Sequence, residues 1–234
     1  MATKQAATTP AKFEGFPKDA MGFWHELTVE MNKEWFDANK PRYETQWVAP
    51  FHALLAEVSA KVAPSYRGIS LGAPKVMRIY RDTRFSKDKT PYKTWIGGGV
   101  SLGGDKPTDG VAALYAHFGL GEDFVGAGHY VFATDTLVKW RKRVADGKTG
   151  PAIAKLVAAM KQAKYKLHSY ETFARVPKPY DPEHPRAELL KMKGLVVAFP
   201  PIPKGLIHKA AFVEWLAKHA AAAAPLCKWL HEKL

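Results

Sequence analysis

The sequence predicts an α+β fold in which one mostly antiparallel sheet of about five strands is packed by N-terminal, inserted and C-terminal helices. Three observations predict it. Apolar residues recur at helical spacing up to residue 62, the pattern then turns to short β-branched and aromatic runs, and helical spacing returns later in the chain. The links between the strand-like runs are too short for parallel crossovers, which need roughly a dozen residues or more, so neighbours should run antiparallel. A 47% hydrophobic content with seven Trp and twelve Phe is enough for a real core in 234 residues.

Taken in order, residues 1–12 form a small polar tail, expected to be frayed and to be neither a secretory signal nor a membrane anchor, and residues 13–234 form one domain. Ala20, Phe23, Trp24, Leu27 and Met31 mark a first amphipathic helix, with Pro17 suited to its opening turn. Asn32 is placed to cap a short helix, and Pro41 to open a longer one that carries Tyr43, Trp47, Phe51, Leu54, Leu55, Val58 and Val62 and kinks at Pro50. Strands are expected over 76–85, 94–102, 111–120, 124–132 and 195–202. Further helices are expected over 136–144, 152–160, 183–192 and 208–234. The proline-rich stretch 176–185 reads as an ordered surface crossing, because a strand and a helix follow it.

Composition narrows the function classes. Thirty-five Lys and Arg against twenty-two Asp and Glu give a net charge of +13, which favours nucleic acid, anionic metabolites or acidic surfaces as partners. No run reaches the roughly 18 apolar residues of a spanning helix, and no membrane partner is expected. The single cysteine, Cys227, excludes an internal disulfide and suits a reducing, cytoplasmic compartment; its apolar setting makes it a packed thiol and not a nucleophile.

Charge concentrates in residues 78–93, where Arg78, Arg81, Arg84, Lys87, Lys89 and Lys93 alternate with Tyr80, Phe85 and Tyr92. Arginine presents a rigid fork of donors matched to phosphate or carboxylate oxygens. On a regular strand Arg78, Tyr80, Asp82 and Arg84 would share one face, with Asp82 holding a guanidinium in place, and residues 86–91 would turn the chain. Gly97, Gly98 and Gly99 follow and let a backbone or ligand approach closely, but no phosphate-loop or dinucleotide signature is present. Nine histidines form no metal-binding spacing; His208 and His219 stand too far apart on one helix, while His117 and His129 belong to adjacent strands where they could meet. No cofactor and no metal are indicated. Weak acid–base candidates are Asp82 and His184, alongside Glu34, Asp37 and His117; no nucleophile elbow occurs.

Three segments together carry a resemblance: Asn32-Lys-Glu-Trp-Phe-Asp-Ala-Asn-Lys40, the arginine-rich run Arg78 to Lys93, and Pro177-Lys-Pro-Tyr-Asp-Pro-Glu-His-Pro185 with Leu189-Leu-Lys-Met-Lys193. On these the chain resembles a widespread family of bacterial and fungal conserved hypothetical proteins, a domain of unknown function, from about residue 13 to 202; it departs at Gly126-Ala-Gly128, where that family carries a run of glycines. The resemblance implies one compact domain and brings no activity, cofactor or catalytic residue. It groups Trp35, the arginines with Tyr92 and Lys93, and Lys178, Tyr180 and His184 as candidates for one cleft.

Three functional readings follow. The first is binding of an anionic small molecule or nucleic acid, phosphate ahead of carboxylate, through Arg78, Arg81, Arg84, Lys87, Tyr92, Lys93, Trp35 and Tyr180. The second is an enzyme acting on a phosphorylated or carboxylated small molecule, with Asp82 or His184 moving a proton. The third is an internal scaffold in which the arginines tie strand to helix through Glu34 or Asp37. Oligomeric state is left open by the sequence.

Overall fold

The computed structural model describes residues 12–84, 87–104, 110–121 and 123–234, so the expected N-terminal tail lies mostly outside the described residues. Helix α1 (Ala20–Val29) buries Ala20, Phe23, Trp24 and Leu27, the face that the spacing predicts. Helix α2 (Lys33–Tyr43) starts where the Asn32 side chain accepts a hydrogen bond from the Trp35 backbone N–H at 2.9 Å. The helix passes through Pro41 instead of ending there, and the irregularity falls just downstream as a π-helical stretch, Glu44–Val48. A proline lacks the N–H that would close its turn, so a nearby widening of the helix is an economical response. Pro50 follows near the start of α3 (Ala49–Val62), which continues the π-helical stretch without a break, and the residue four before it, Gln46, lies in that stretch, so the disturbance lies upstream of the expected kink.

Among the described residues the sheet has six strands: β1 (Lys75–Val76), β2 (Trp95–Ser101), β3 (Ala112–Gly119), β4 (Phe124–His129), β5 (Lys166–His168) and β6 (Leu195–Ala198). They lie in the order β1-β2-β3-β4-β6-β5, every neighbouring pair antiparallel. The short edge strand β5 was not foreseen; three residues are too few for a pattern of period two to register. Residues 76–85 do not form the long strand expected of them. Beyond Val76 the ladder persists only as separate bonds, Met77 N–H to the Gly97 carbonyl, Lys93 N–H to Ile79 and Arg81 N–H to Pro91, at 2.8–2.9 Å. The Asp82 carboxylate accepts the Arg84 backbone N–H at 3.2 Å, and such local capture competes with extended pairing.

One face of the sheet carries the core. Phe118 of β3 lies 5.4 Å from Phe16, 5.5 Å from Phe51 on α3 and 5.8 Å from Phe212 on α7 (Phe212–Lys233), measured between ring centroids. Gly98 keeps this contact close, since a Cβ there would come within 3.1 Å of the Phe51 ring and 3.2 Å of Leu55, and nearer still to the Lys75 carbonyl. Helix α7 buries Ala220, Ala223 and Ala224 against the core and carries Pro225 on its exposed side. Helices α4 (Thr134–Ala145) and α5 (Thr149–Gln162) pack on each other, and Trp140 donates its indole N–H to the Leu189 carbonyl at 2.8 Å. The expected helix over 183–192 shortens to α6 (Ala187–Lys191), since Pro182 and Pro185 hold the preceding residues in turns.

Candidate functional site

The arginine segment forms the rim of the sheet beside α2. Phe36 joins the two: it is 1% exposed, stacks on Tyr92 at 4.5 Å and meets Tyr80 edge-on at 6.1 Å. Tyr92 is therefore a buried wall, 2% exposed, while Tyr80 stays 47% exposed. Arg78 lines a cleft of about 310 Å³ with Phe36, Lys40, Glu44 and Tyr80. Arg81 meets Asp88 at 3.3 Å, and its buried Nε has no hydrogen-bond partner among the described residues. Lys93 donates to the Arg78 carbonyl at 3.1 Å and lies 4.8 Å over the Trp95 ring. Partial burial, followed by the charges of Arg78 and Arg81, holds the Lys93 pKa below the ordinary lysine value.

Asp82 does not occupy the middle of a strand face. It takes Arg84 in a two-point ion pair, Nε to Oδ1 at 3.0 Å and the terminal nitrogen to Oδ2 at 2.8 Å, with both side chains exposed. The hydrogen bonds from the Arg84 side chain and backbone hold the Asp82 carboxyl well below the usual carboxylate range. Lys87 is exposed beside Asp88. Lys89 is committed to the Thr83 carbonyl at 2.7 Å.

The three motifs do not form one cleft. Trp35 packs on Phe23 at 5.6 Å, so the first motif meets the second through Phe36 and not through Trp35. The third motif builds a separate cleft of about 650 Å³, in which Tyr180 and Lys178 stand with Arg175, Glu188 and Lys191. His184 accepts the Arg186 backbone N–H at 3.0 Å within its own turn. No recorded contact among the described residues ties it to Asp82. Glu34 and Asp37 lie exposed on α2, and Asp37 pairs with Lys33 at 3.6 Å, which leaves the scaffold reading without its carboxylate partners.

The second face of the sheet is the feature that residue-by-residue motif reading misses. Gly97 pairs with His117, His117 with Phe124, and Gly99 and Gly126 both with Tyr115, so these residues share a face opposite the core. Ring centroids step across it from Trp95 to His117 at 5.4 Å, to Phe124 at 5.7 Å and on to His168 at 5.8 Å, with Tyr115 5.7 Å from His117. Glycines are what let the rings lie down. A Cβ at Gly97 would come within 2.5 Å of the Trp95 ring, and one at Gly126 within 3.0 Å of the Phe124 ring. The legible signals were the alternations Trp95-x-Gly97-x-Gly99 and Lys166-x-His168-x-Tyr170, though alternation alone does not tell an open face from a core one.

His117 and His129 do not meet. His117 pairs with Phe124 on the open face, while His129 is five residues further along β4 on the core face, 4.9 Å from the Phe132 ring. Asp123 stands beside His117; burial pushes its carboxyl up, while a hydrogen bond from the Gly119 N–H and the imidazole charge pull it back. No group of three or more metal-ligating side chains occurs among the described residues. None of the helices among them is long and apolar enough to cross a membrane.

No curated protein and no solved structure matches the chain. A match to the family described as conserved hypothetical protein (DUF2461) covers residues 19–229, taking in the helix α2 motif, the arginine segment, the sheet and the proline-rich cleft. The chain belongs to that DUF2461 family.

Proposed function

We propose that this chain binds a phosphate-bearing ligand at the sheet rim formed by Arg78, Arg81 and Lys93. The observation that carries the reading is the crowding of three cations, Arg78 on the wall of the cleft and Arg81 with it close enough to act on the Lys93 ammonium, of which Arg81 alone is ion-paired to a carboxylate among the described residues. Cations that repel one another in the empty protein gain from an incoming anion, and guanidinium forks match phosphate oxygens. Arg84, ion-paired with Asp82, and Lys87 are exposed further along the same segment. The enzyme reading has less support, because Asp82 is engaged with Arg84 and the His184 ring nitrogen accepts the Arg186 backbone N–H within the proline-rich turn. We also read residues 13–234 as one domain in a cytoplasmic setting, supported by the extent of the family match and by a lone buried thiol.

The test is calorimetric titration of the whole chain with inorganic pyrophosphate, beside Arg78→Ala and Lys93→Met. Saturable binding that weakens at least tenfold in both variants is expected. Equal binding by all three proteins, or heat too small to fit, refutes the reading.

A further inference from the structure

We infer that the open face of the sheet is a stacking platform for single-stranded nucleic acid, with the bases laid on its rings and the backbone led onto the Arg78–Arg81–Lys93 rim. The inference rests on the phosphate-binding reading for its rim and on separate observations for its face. Trp95, Tyr115, His117, Phe124 and His168 form a continuous series of rings across the strands, spaced 5.4–6.2 Å between centroids. The series continues at the far end of the same face, where Tyr130 and Tyr170 lie 5.0 Å apart and are 58% and 65% exposed.

Aromatic side chains of this size are ordinarily spent on the core, and here Trp95, Tyr115, His117 and Phe124 stay half-buried on the face that no long helix covers among the described residues. The helices α3 and α7, which make the main contacts to the central strands, both lie against the opposite face. Glycine alternates with ring on β2 and β4, so Trp95 lies over Gly97 and Phe124 over Gly126. A ring lying over a glycine turns its π surface outward, which is the geometry a nucleobase stacks on, and such stacking tolerates any base.

Charge selects this occupant over the alternatives. Cross-strand register places Lys75 opposite Gly99 and Lys166 opposite Ala198 on the ring-bearing face, and Lys93 sits two residues before Trp95. Arg78 and Arg81 extend the positive edge, with Asp123 as an acidic neighbour of His117. A second copy of this chain would bring its own net charge of +13 to the same face, and the two would repel. A polyanion with flat apolar bases satisfies both the rings and the lysines. The phosphates meet the cationic edge and release counterions, so binding must weaken with salt.

The test uses the full chain and fluorescein-labelled single strands of about twelve nucleotides, oligo-dT and oligo-rU, read by anisotropy between about 50 and 200 mM salt. Variants are the Tyr130→Ala/Tyr170→Ala pair, which removes two exposed rings with little risk to folding, and Trp95→Ala. Pyrophosphate titration of the same proteins runs alongside. The expected result is saturable binding to single strands that weakens with salt and falls about tenfold in each variant, while pyrophosphate affinity holds in the tyrosine pair. DNA and RNA arms that differ show whether the 2′-hydroxyl is read. Pyrophosphate binding without oligonucleotide binding overturns the platform and leaves the rim reading standing; loss of both overturns both. Oligonucleotide affinity unchanged in all variants overturns the platform. So does a dimer, seen by light scattering, that the tyrosine pair dissolves.

Discussion

Phe36→Ala is the perturbation whose consequence the structure states most sharply. Phe36 is 1% exposed and is the ring that couples α2 to the arginine segment, with centroid distances of 4.5 Å to Tyr92, 6.0 Å to Tyr43 and 6.1 Å to Tyr80. Truncating a buried phenylalanine removes its transfer energy and leaves a cavity, together about 3–5 kcal/mol. At roughly 2–4 °C per kcal/mol for a chain of this size, Tm should fall by roughly 6–20 °C. Phe36→Leu keeps most of the buried apolar volume and loses the ring pair, which should cost about 0.5–1.5 kcal/mol for the lost stacking and a comparable amount for reshaping. The assay is urea unfolding followed by tryptophan emission, with pyrophosphate titration of the leucine variant. A positioning role requires the leucine variant to stay folded yet bind several-fold more weakly, since Tyr92 precedes Lys93 and a displaced Tyr92 moves the ammonium. An alanine variant that loses less than about 1 kcal/mol, well below the core-phenylalanine range, refutes the packing argument. A leucine variant with unchanged binding refutes the coupling between stack and rim.

Two further outcomes follow from the same geometry. Lys93→Met keeps an apolar stem for the Trp95 ring and removes a charge that Arg78 and Arg81 repel, so without ligand its Tm should equal or exceed the wild type near neutral pH. Because the folded-state pKa lies below the unfolded one, the unfolded chain holds more protons between the two values, and wild-type stability from this group rises with pH across that window. The advantage of the methionine variant should therefore be full below the folded pKa and vanish as pH climbs past the ordinary lysine value; thermal melts from pH 7 to about 10.5 check it, and a variant that melts lower throughout contradicts the repulsion argument. Cys227 is fully buried and burial pushes its thiol up to about 12, so a thiol-reactive disulfide reagent should modify it only as fast as the chain opens. Rapid labelling of the folded protein at pH 8 would contradict that placement.

Much of the fold was legible because local chemistry and burial agree there. Asn32 caps a helix in any setting that offers it free N–H groups, and the apolar spacing of Phe23, Trp24 and Leu27 can be satisfied only on one face of a helix. Short connections between β2, β3 and β4 admit only antiparallel pairing, whatever surrounds them. The density of cations between Arg78 and Lys93 is likewise a property of the chain itself.

What tertiary structure alone decided is which side chains meet. Period two places Trp95, Tyr115 and Phe124 on alternating positions, but a strand does not encode which of its faces a helix will cover, and that choice turned these rings outward and sent Phe118 and His129 inward. Asp82 left the expected face because a carboxylate two residues from an arginine can capture it locally, at less entropic cost than holding an extended strand. The proline-rich motif and the arginine segment lie far apart in sequence, and nothing local sets the path between them. Their separation into two clefts was settled by where α2 and α6 pack, a balance of apolar burial over the whole chain that no short segment contains.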